Sequence, residues 1–338
     1  MDVREYLNDD GQALLALCSP FALTDERLDG GPFTLAEWNK IEKQIQQSSW
    51  KHPAELQGRT ADQIAKTLSI SMGDANRIAR LLERSGRIAL ELDNIFSRGM
   101  WVVTRMDQLY PAKLRDTLKH QAPTVLFGAG EIQLLGRGGV AVIGSRNIDE
   151  AGTIFAREAG RKIAESGLPV ISGGARGTDR LAMEGALQSD GFAIGALADS
   201  LEATIRKPDV RDFVINGRLA LLTPYSPTAG FSIGAAMGRN KVIYGLADFA
   251  IVVSSDYQTG GTWAGASEAL KANWCPVFVR EGAGVPKGNR ELEKLGAVKL
   301  PEDELAKISH LTNWMREKVK RTLVEQELFD LNESRKQK

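Results

Sequence analysis

Val140-Ala-Val-Ile-Gly144-Ser145-Arg146 and, after an amphipathic run, Pro169-Val-Ile-Ser172-Gly173-Gly174-Ala175-Arg176-Gly177-Thr178-Asp179 decide how this chain folds. Each stretch is a short apolar strand that ends in a glycine-bearing turn, and each turn opens a helix. Apolar runs of this length, bounded by turn residues, suit strands buried on both faces of a parallel sheet. The N–H groups at a helix start lack intrahelical partners, and the helix dipole favours an anion there. Arg146 and Arg176 add positive charge at both turns. The two turns together predict a site for an anionic, phosphate-bearing ligand.

The pattern extends in both directions. Further strands are expected at Trp101–Thr104, Pro123–Gly128, Phe192–Leu197, Leu219–Leu222, Phe249–Val253 and Val277–Val279, with helical patterns between most of them. Such alternation predicts an α/β fold with a doubly wound, mostly parallel sheet. Around Leu109-Tyr110-Pro111-Ala-Lys-Leu114 the chain reads as a turn. An N-terminal helical domain over residues 1–100 precedes the sheet domain at 101–300. A charged C-terminal tail at 301–338 reads as one long helix, with Leu305, Ile308, Met315, Val319 and Leu323 on a stripe.

In the N-terminal part, Leu14, Leu15, Leu17 and Phe21 cluster before a Gly30-Gly31-Pro32 break, and Thr34 with Glu37 forms a capping box. Ile64 and Leu68, then Ile78, Leu81 and Leu82, mark a compact helix pair closed by Ser85-Gly86-Arg87. The pair is either a helical protein-contact (SAM-like) bundle or a DNA-reading helix-turn-helix. Arg77, Arg80 and Arg84 suit a solvated face as well as a groove-reading one.

With 338 residues, 43% of them hydrophobic and 25% charged, the chain has room for two or three domains and a large core. Lys+Arg 43 balance Asp+Glu 43, so no global field draws in nucleic acid, and a polyanion site must be a local patch. Two distant cysteines, Cys18 and Cys275, and three scattered histidines suggest neither a disulfide framework nor a metal site. The expectation is a cytoplasmic protein without metal, cofactor or membrane partner. No signal peptide and no apolar run of membrane-spanning length is read.

Tyr110-Pro111, Leu114, Pro123, Leu126-Phe127 and Gly144-Ser145-Arg146 together resemble the DNA-processing protein A (DprA/Smf) family. The resemblance continues through Ser172-Gly173, Ala175, Gly177 and Asp179, then Arg239-Asn240-Lys241, and Gly288-Asn289, Leu292 and Gly296-Ala297. It covers roughly residues 100–300 in the family's order. It implies a Rossmann-like domain that binds single-stranded DNA, forms homodimers and helps load the RecA recombinase during DNA uptake. Met183 and Thr223-Pro224 depart from the family pattern, and the tail looks too short for a winged helix. DprA-like proteins also occur in phage-defence and toxin–antitoxin settings, so a regulatory role with a toxin or defence protein as partner is an alternative.

The family's nucleic-acid-binding arginine falls on Arg146. Gly144-Ser145-Arg146 supplies one glycine and then a cation, unlike the dinucleotide G-x-G-x-x-G fingerprint, and this favours an open phosphate site. Ser172, Gly173, Gly174 and Gly177 lie in a small-residue loop whose backbone N–H groups can approach a sugar-phosphate chain. Within it Arg176 can pair with a phosphate. Thr178 or Asp179 is expected to cap the next helix, although a ribose hydroxyl is an alternative partner for Asp179. Arg239 and Lys241 are read as ligand contacts, and Asn240 as a ligand contact or as a staple between its helix and the sheet. Gly260, Gly261 and Thr262 form another phosphate-cradling or packing turn. If Arg146, Arg176, Arg239 and Lys241 each neutralise one phosphate of a single strand, the log–log salt slope is about −3.

No nucleophilic triad, metal cluster or P-loop lysine motif is read, so no catalytic residue is expected and the chain reads as a binder. The remaining alternative is a nucleotide-sensing or nucleotide-hydrolysing enzyme. Gly260-Gly261 with Glu268 is similar to the Gly-Gly-x-Gly-Thr-x-x-Glu motif of LOG-type phosphoribohydrolases but does not match its spacing.

Overall fold

A computed structural model describes residues 7–23 and 30–322. Leu323 and the rest of the expected tail to 338 lie outside the described residues. The described residues hold nine strands, β1 (Met100–Thr104), β2 (Val125–Ala129), β3 (Val140–Gly144), β4 (Pro169–Ser172), β5 (Phe192–Ala196), β6 (Leu219–Thr223), β7 (Phe249–Ser254), β8 (Val277–Glu281) and β9 (Val298–Pro301). The chain falls into two compact units, each assembled from separated segments. One comprises Met1–Gln133, Ala198–Ile215 and Ala220–Ala235, the other Leu134–Leu197, Asn216–Leu219 and Ala236–Lys338.

In the first unit, helices α1 (Asp9–Cys18), α2 (Leu35–Gln47), α3 (Ala61–Leu68), α4 (Met72–Leu82) and α5 (Ser85–Ser97) come first. Their starts follow from local chemistry. Asn8 accepts from the Gly11 N–H, and capping boxes at Thr34/Glu37 and Thr60/Gln63 satisfy the first-turn donors of α2 and α3. Ser85-Gly86-Arg87 does not close the helix pair as the sequence suggested; it opens α5. Likewise the turn expected after Pro111 winds into a short helix, α6 (Ala112–Leu118). β1 pairs antiparallel with β2, and β2 with β6. Two short helices, α9 (Leu201–Ile205) and α10 (Pro208–Ile215), also belong to this unit; α7 (Glu150–Glu165) and α8 (Thr178–Gln188), which precede them in the chain, belong to the other.

Of Arg77, Arg80 and Arg84, on and just after α4, two turn inward. Arg77 donates to the Gly31 and Pro32 carbonyls at 2.7 and 2.9 Å, pairs with Glu37 at 3.1 Å and lies 4.0 Å over the Phe33 ring. Arg84 donates to the carbonyls of Ala16, Ser19 and Phe21. The guanidinium fork supplies several donors from one side chain, and here they go to backbone carbonyls. Arg80 alone of the three is exposed. Neither a solvated face nor a groove-reading one describes Arg77 and Arg84.

The second unit holds the parallel strands in the order β5-β4-β3-β7-β8-β9. Helices α7 (Glu150–Glu165) and α8 (Thr178–Gln188) lie against β3 and β4, and α12 (Gly260–Ala272) and α13 (Lys287–Lys294) against β7 and β8. α11 (Ile233–Leu246) starts in the first unit and runs into the second. Val140, Ala141, Val142, Val170, Ile171, Ile251 and Val252 are wholly buried, as strands covered on both faces must be. α7 and α8 approach backbone to backbone, because a side chain at Gly160 would strike the Ala182 carbonyl and one at Gly185 the Arg157 carbonyl. The fold is thus α/β with a doubly wound, mostly parallel sheet.

The single long C-terminal helix expected from the sequence is interrupted. α14 (Glu302–Leu305) ends, and helix resumes at 311–322. Between them the buried Lys162 ammonium donates to the Ile308 carbonyl at 2.7 Å. Leu305 and Ile308 are both buried, so tertiary contacts override the helical propensity of the run. No helix among the described residues is long and apolar enough to cross a membrane.

Candidate nucleic-acid interface

The strand order reverses at β3. Successive strands run to one side as β4 and β5, and the chain returns to its other side as β7, β8 and β9. In open α/β sheets the crevice outside the carboxyl ends of the strands at such a switch point receives the ligand. The residues singled out in the sequence lie at the ends of β3 and β4, in the loops that follow them, and at the starts of α8 and α12, where Gly260, Gly261 and Thr262 open the helix; Arg239, Asn240 and Lys241 lie on α11.

Hydrogen bonds join these loops directly. The Thr178 N–H and hydroxyl both donate to the Ser145 carbonyl, at 3.3 and 3.1 Å. The Ser145 N–H donates to the Ser254 carbonyl at 2.9 Å, and Arg176 Nη2 donates to Asn147 Oδ1 at 3.0 Å. Gly144 and Gly177 permit this closeness, since a Cβ on the first would meet Thr178 and one on the second would sit 2.5 Å from the Arg146 carbonyl oxygen. Gly177 also has φ +89°, a conformation that favours glycine. Arg146, Gly174 and Arg176 are exposed at this junction.

Asp179 does not cap α8, and neither does Thr178. The cap is Gly177, without a side-chain bond. The Asp179 carboxylate is buried and folds back to accept the Gly173 N–H at 3.1 Å, with the Ala175 N–H also donating to it, while the Ser172 hydroxyl donates to the Val142 carbonyl at 2.6 Å. Two amides of the expected cradle are therefore satisfied from within. Burial pushes the Asp179 carboxyl up to about 6, opposed first by the Arg239 guanidinium and then by those hydrogen bonds.

Arg239 is the second departure. It is only 6% exposed and donates to the Ala196 carbonyl at 2.8 Å, and a Cβ on Gly173 would collide with its guanidinium. Its charge thus balances Asp179 beneath the β4 loop. Asn240 donates to the Gly261 carbonyl at 3.1 Å, which is the stapling role. Lys241 pairs with Glu268 at 2.9 Å, so the four expected cations do not form one row. Arg146 and Arg176 remain together at the switch point. The same ion pair fixes the carboxylate on which a hydrolytic reading would rest.

Three features escaped the sequence reading. Asn147 orients Arg176, a role that the polar residue after Ser145-Arg146 hinted at. Buried Asn289 accepts the Ser255 N–H at 2.9 Å and donates to the Val253 and Arg280 carbonyls, fixing the loop after β7. Tyr257 and Trp263 flank the Gly260-Gly261 pair with ring centroids 5.0 Å apart, and Lys287 Nζ lies 4.5 Å from the Tyr257 centroid. A surface hollow of about 670 Å³ among α7, α8 and α14 includes none of these residues. Among the described residues no group of three or more His, Cys, Asp or Glu side chains is placed to hold a metal ion.

A parallel sheet whose strand order reverses beside two cationic loops is a Rossmann-like arrangement. Residues 101–319, more than half of the chain, match the family of the DNA recombination-mediator protein A, and the chain belongs to that family. It is 31% identical over 157 residues to the DNA processing protein DprA of Streptococcus pneumoniae, covering 46% of this chain and 54% of that one. It is 28% identical over 218 residues to protein Smf of Escherichia coli, covering 62% of this chain and 56% of that one. The chain thus spans about half the length of the curated relatives it matches. In structure it is similar to DNA processing protein A from S. pneumoniae, with TM-score 0.60 and 24% identity, covering 79% of this chain and 95% of that one. The corresponding protein from Helicobacter pylori, whose structure is described as showing a single-stranded DNA binding mode, gives TM-score 0.52 and 23% identity, covering 66% of this chain and 96% of that one.

Proposed function

We propose that this chain is a single-stranded DNA-binding recombination mediator of the cytoplasm. The observation that carries the reading is the exposure of Arg146 and Arg176 on two loops that are hydrogen-bonded to each other at the switch point. Backbone phosphates are held by such charge-assisted contacts, which supply most of the affinity for a flexible strand. Family membership and the described binding mode of the H. pylori relative support the same ligand. RecA loading and homodimer formation belong to this proposal, with the family as their support.

Two phosphate contacts in place of four lower the expected log–log salt slope on a single strand from about −3 to about −1.4. Salt-titrated binding of a fluorescent oligonucleotide tests this. Arg146→Ala and Arg176→Ala should each weaken binding and reduce the slope by about 0.7. Salt-insensitive binding, or unchanged affinity in both variants, refutes the assignment.

A further inference from the structure

We infer that Tyr257 and Trp263 form a stacking platform for a nucleobase of the bound strand, placed beside the phosphate contacts at the sheet's switch point. The inference rests on the single-strand reading above and adds to it the part of the ligand that phosphate contacts cannot sense.

The loop after β7 is held from several sides. Ser254 accepts the Ser145 N–H from the β3 turn. Asn289 clamps Ser255, and a side chain at Gly288 would collide with the Ser255 carbonyl, so the start of α13 sits against the loop. Gln258 adopts φ +55° and donates to the Tyr257 hydroxyl oxygen at 3.0 Å, and Thr259 donates to the Tyr257 carbonyl at 3.3 Å. Tyr257 is thereby fixed in position before any ligand arrives. Its ring meets Trp263 at an interplanar angle of 79°.

Both rings are half-buried, outside the core that takes up Trp38, Trp101 and Trp274. An aromatic pair kept partly open, one ring on a fixed loop and the other near the start of α12, has the form of a stacking surface. Successive bases of a single strand stack on such rings, whereas the bases of a duplex are already stacked on each other. The exposed Lys287 adds a cation within reach of both ring and phosphate. β7 is hydrogen-bonded to β3, and the Ser145 N–H donates to the Ser254 carbonyl at 2.9 Å, so the loop that leads to the platform starts beside the turn that carries Arg146. A strand whose phosphate is held at Arg146 therefore has its neighbouring base at hand for Tyr257 and Trp263.

The experiment compares a fluorescent oligothymidylate with an abasic chain of the same length, using the 338-residue chain. Trp263→Ala should weaken oligothymidylate binding roughly 5- to 150-fold, the range for loss of one base stack. The salt slope should stay unchanged, because no phosphate contact is removed. Abasic binding should be unaffected, and Trp263→Phe should retain most of the affinity. Trp263 emission, taken as wild type minus Trp263→Phe, should change on adding oligothymidylate. This last measurement does not depend on how well the alanine variant folds. An unchanged difference emission overturns the platform, as does an equal loss on the abasic chain. Full oligothymidylate binding by Trp263→Ala, with Arg146→Ala still impaired, overturns the platform and leaves the proposed function standing. No binding by wild type overturns both.

Discussion

Gly177→Ala is the most informative single substitution. Gly177 stands at φ +89°, ψ −133°, where an L-residue costs on the order of 1–3 kcal/mol. The new methyl would also sit 2.5 Å from the Arg146 carbonyl oxygen and 2.7 Å from that residue's carbonyl carbon and Cα. These are backbone atoms, so the strain cannot be relieved by a side-chain rotation, and the two loops must part. A melting-temperature fall of roughly 2–12 °C follows for a unit of this size. Oligonucleotide binding should weaken as well, because separating the loops moves Arg146 away from Arg176. Thermal melting and fluorescence anisotropy on the same preparation measure both effects. Gly86→Ala is the control: the site is exposed in α5 with nothing within 4 Å, and it should be neutral or stabilising by up to about 1 kcal/mol. If Gly177→Ala melts with wild type and binds DNA equally well, the close apposition of the two loops is refuted.

Two further outcomes are expected. The Asp179 carboxyl, raised from 3.8 to about 6, favours the folded state most when protonated; stability is fully present below pH 4 and falls as pH rises through 6. The change from this group is on the order of 3 kcal/mol, and denaturant titrations from pH 4 to 7 should show this slope in wild type and its loss in Asp179→Asn. In the first unit, Arg84→Met leaves the carbonyls of Ser19 and Phe21 without their charged donor. A loss of about 2–4 kcal/mol by urea unfolding is expected, with oligonucleotide affinity retained; an unchanged midpoint would show that these bonds contribute nothing.

The central strands were legible because burial on both faces leaves an unmixed apolar run, as at Val140–Ile143 and Phe249–Val253. The positions of the turns followed, and with them Arg146 and Arg176. What escaped depended on distant partners. Asp179 and Arg239 are sixty positions apart in the sequence, and only the fold shows that each neutralises the other instead of facing a ligand. The capping role expected of Asp179 is a local rule, and it yielded to the nearby Gly173 and Ala175 amides. α5 was hidden by Gly86 and by exposed Leu90, which blurs the apolar face. β9 is a four-residue strand, Val298–Pro301, too short to register as a periodic pattern. The break before residue 311 is hard to read locally because neither Gly nor Pro marks it.

That break has a bearing on how the protein can be cut or fused. The Lys162 ammonium is enclosed near the end of α7, with the Ile308 carbonyl as its acceptor and Glu165 3.7 Å away. Trimming the chain ahead of residue 308 would strand a cation inside the protein, whereas tags or partners joined beyond residue 322 leave that acceptor in place. A truncation series scored for solubility would therefore show a sharp step at one peptide group instead of a gradual decline with length.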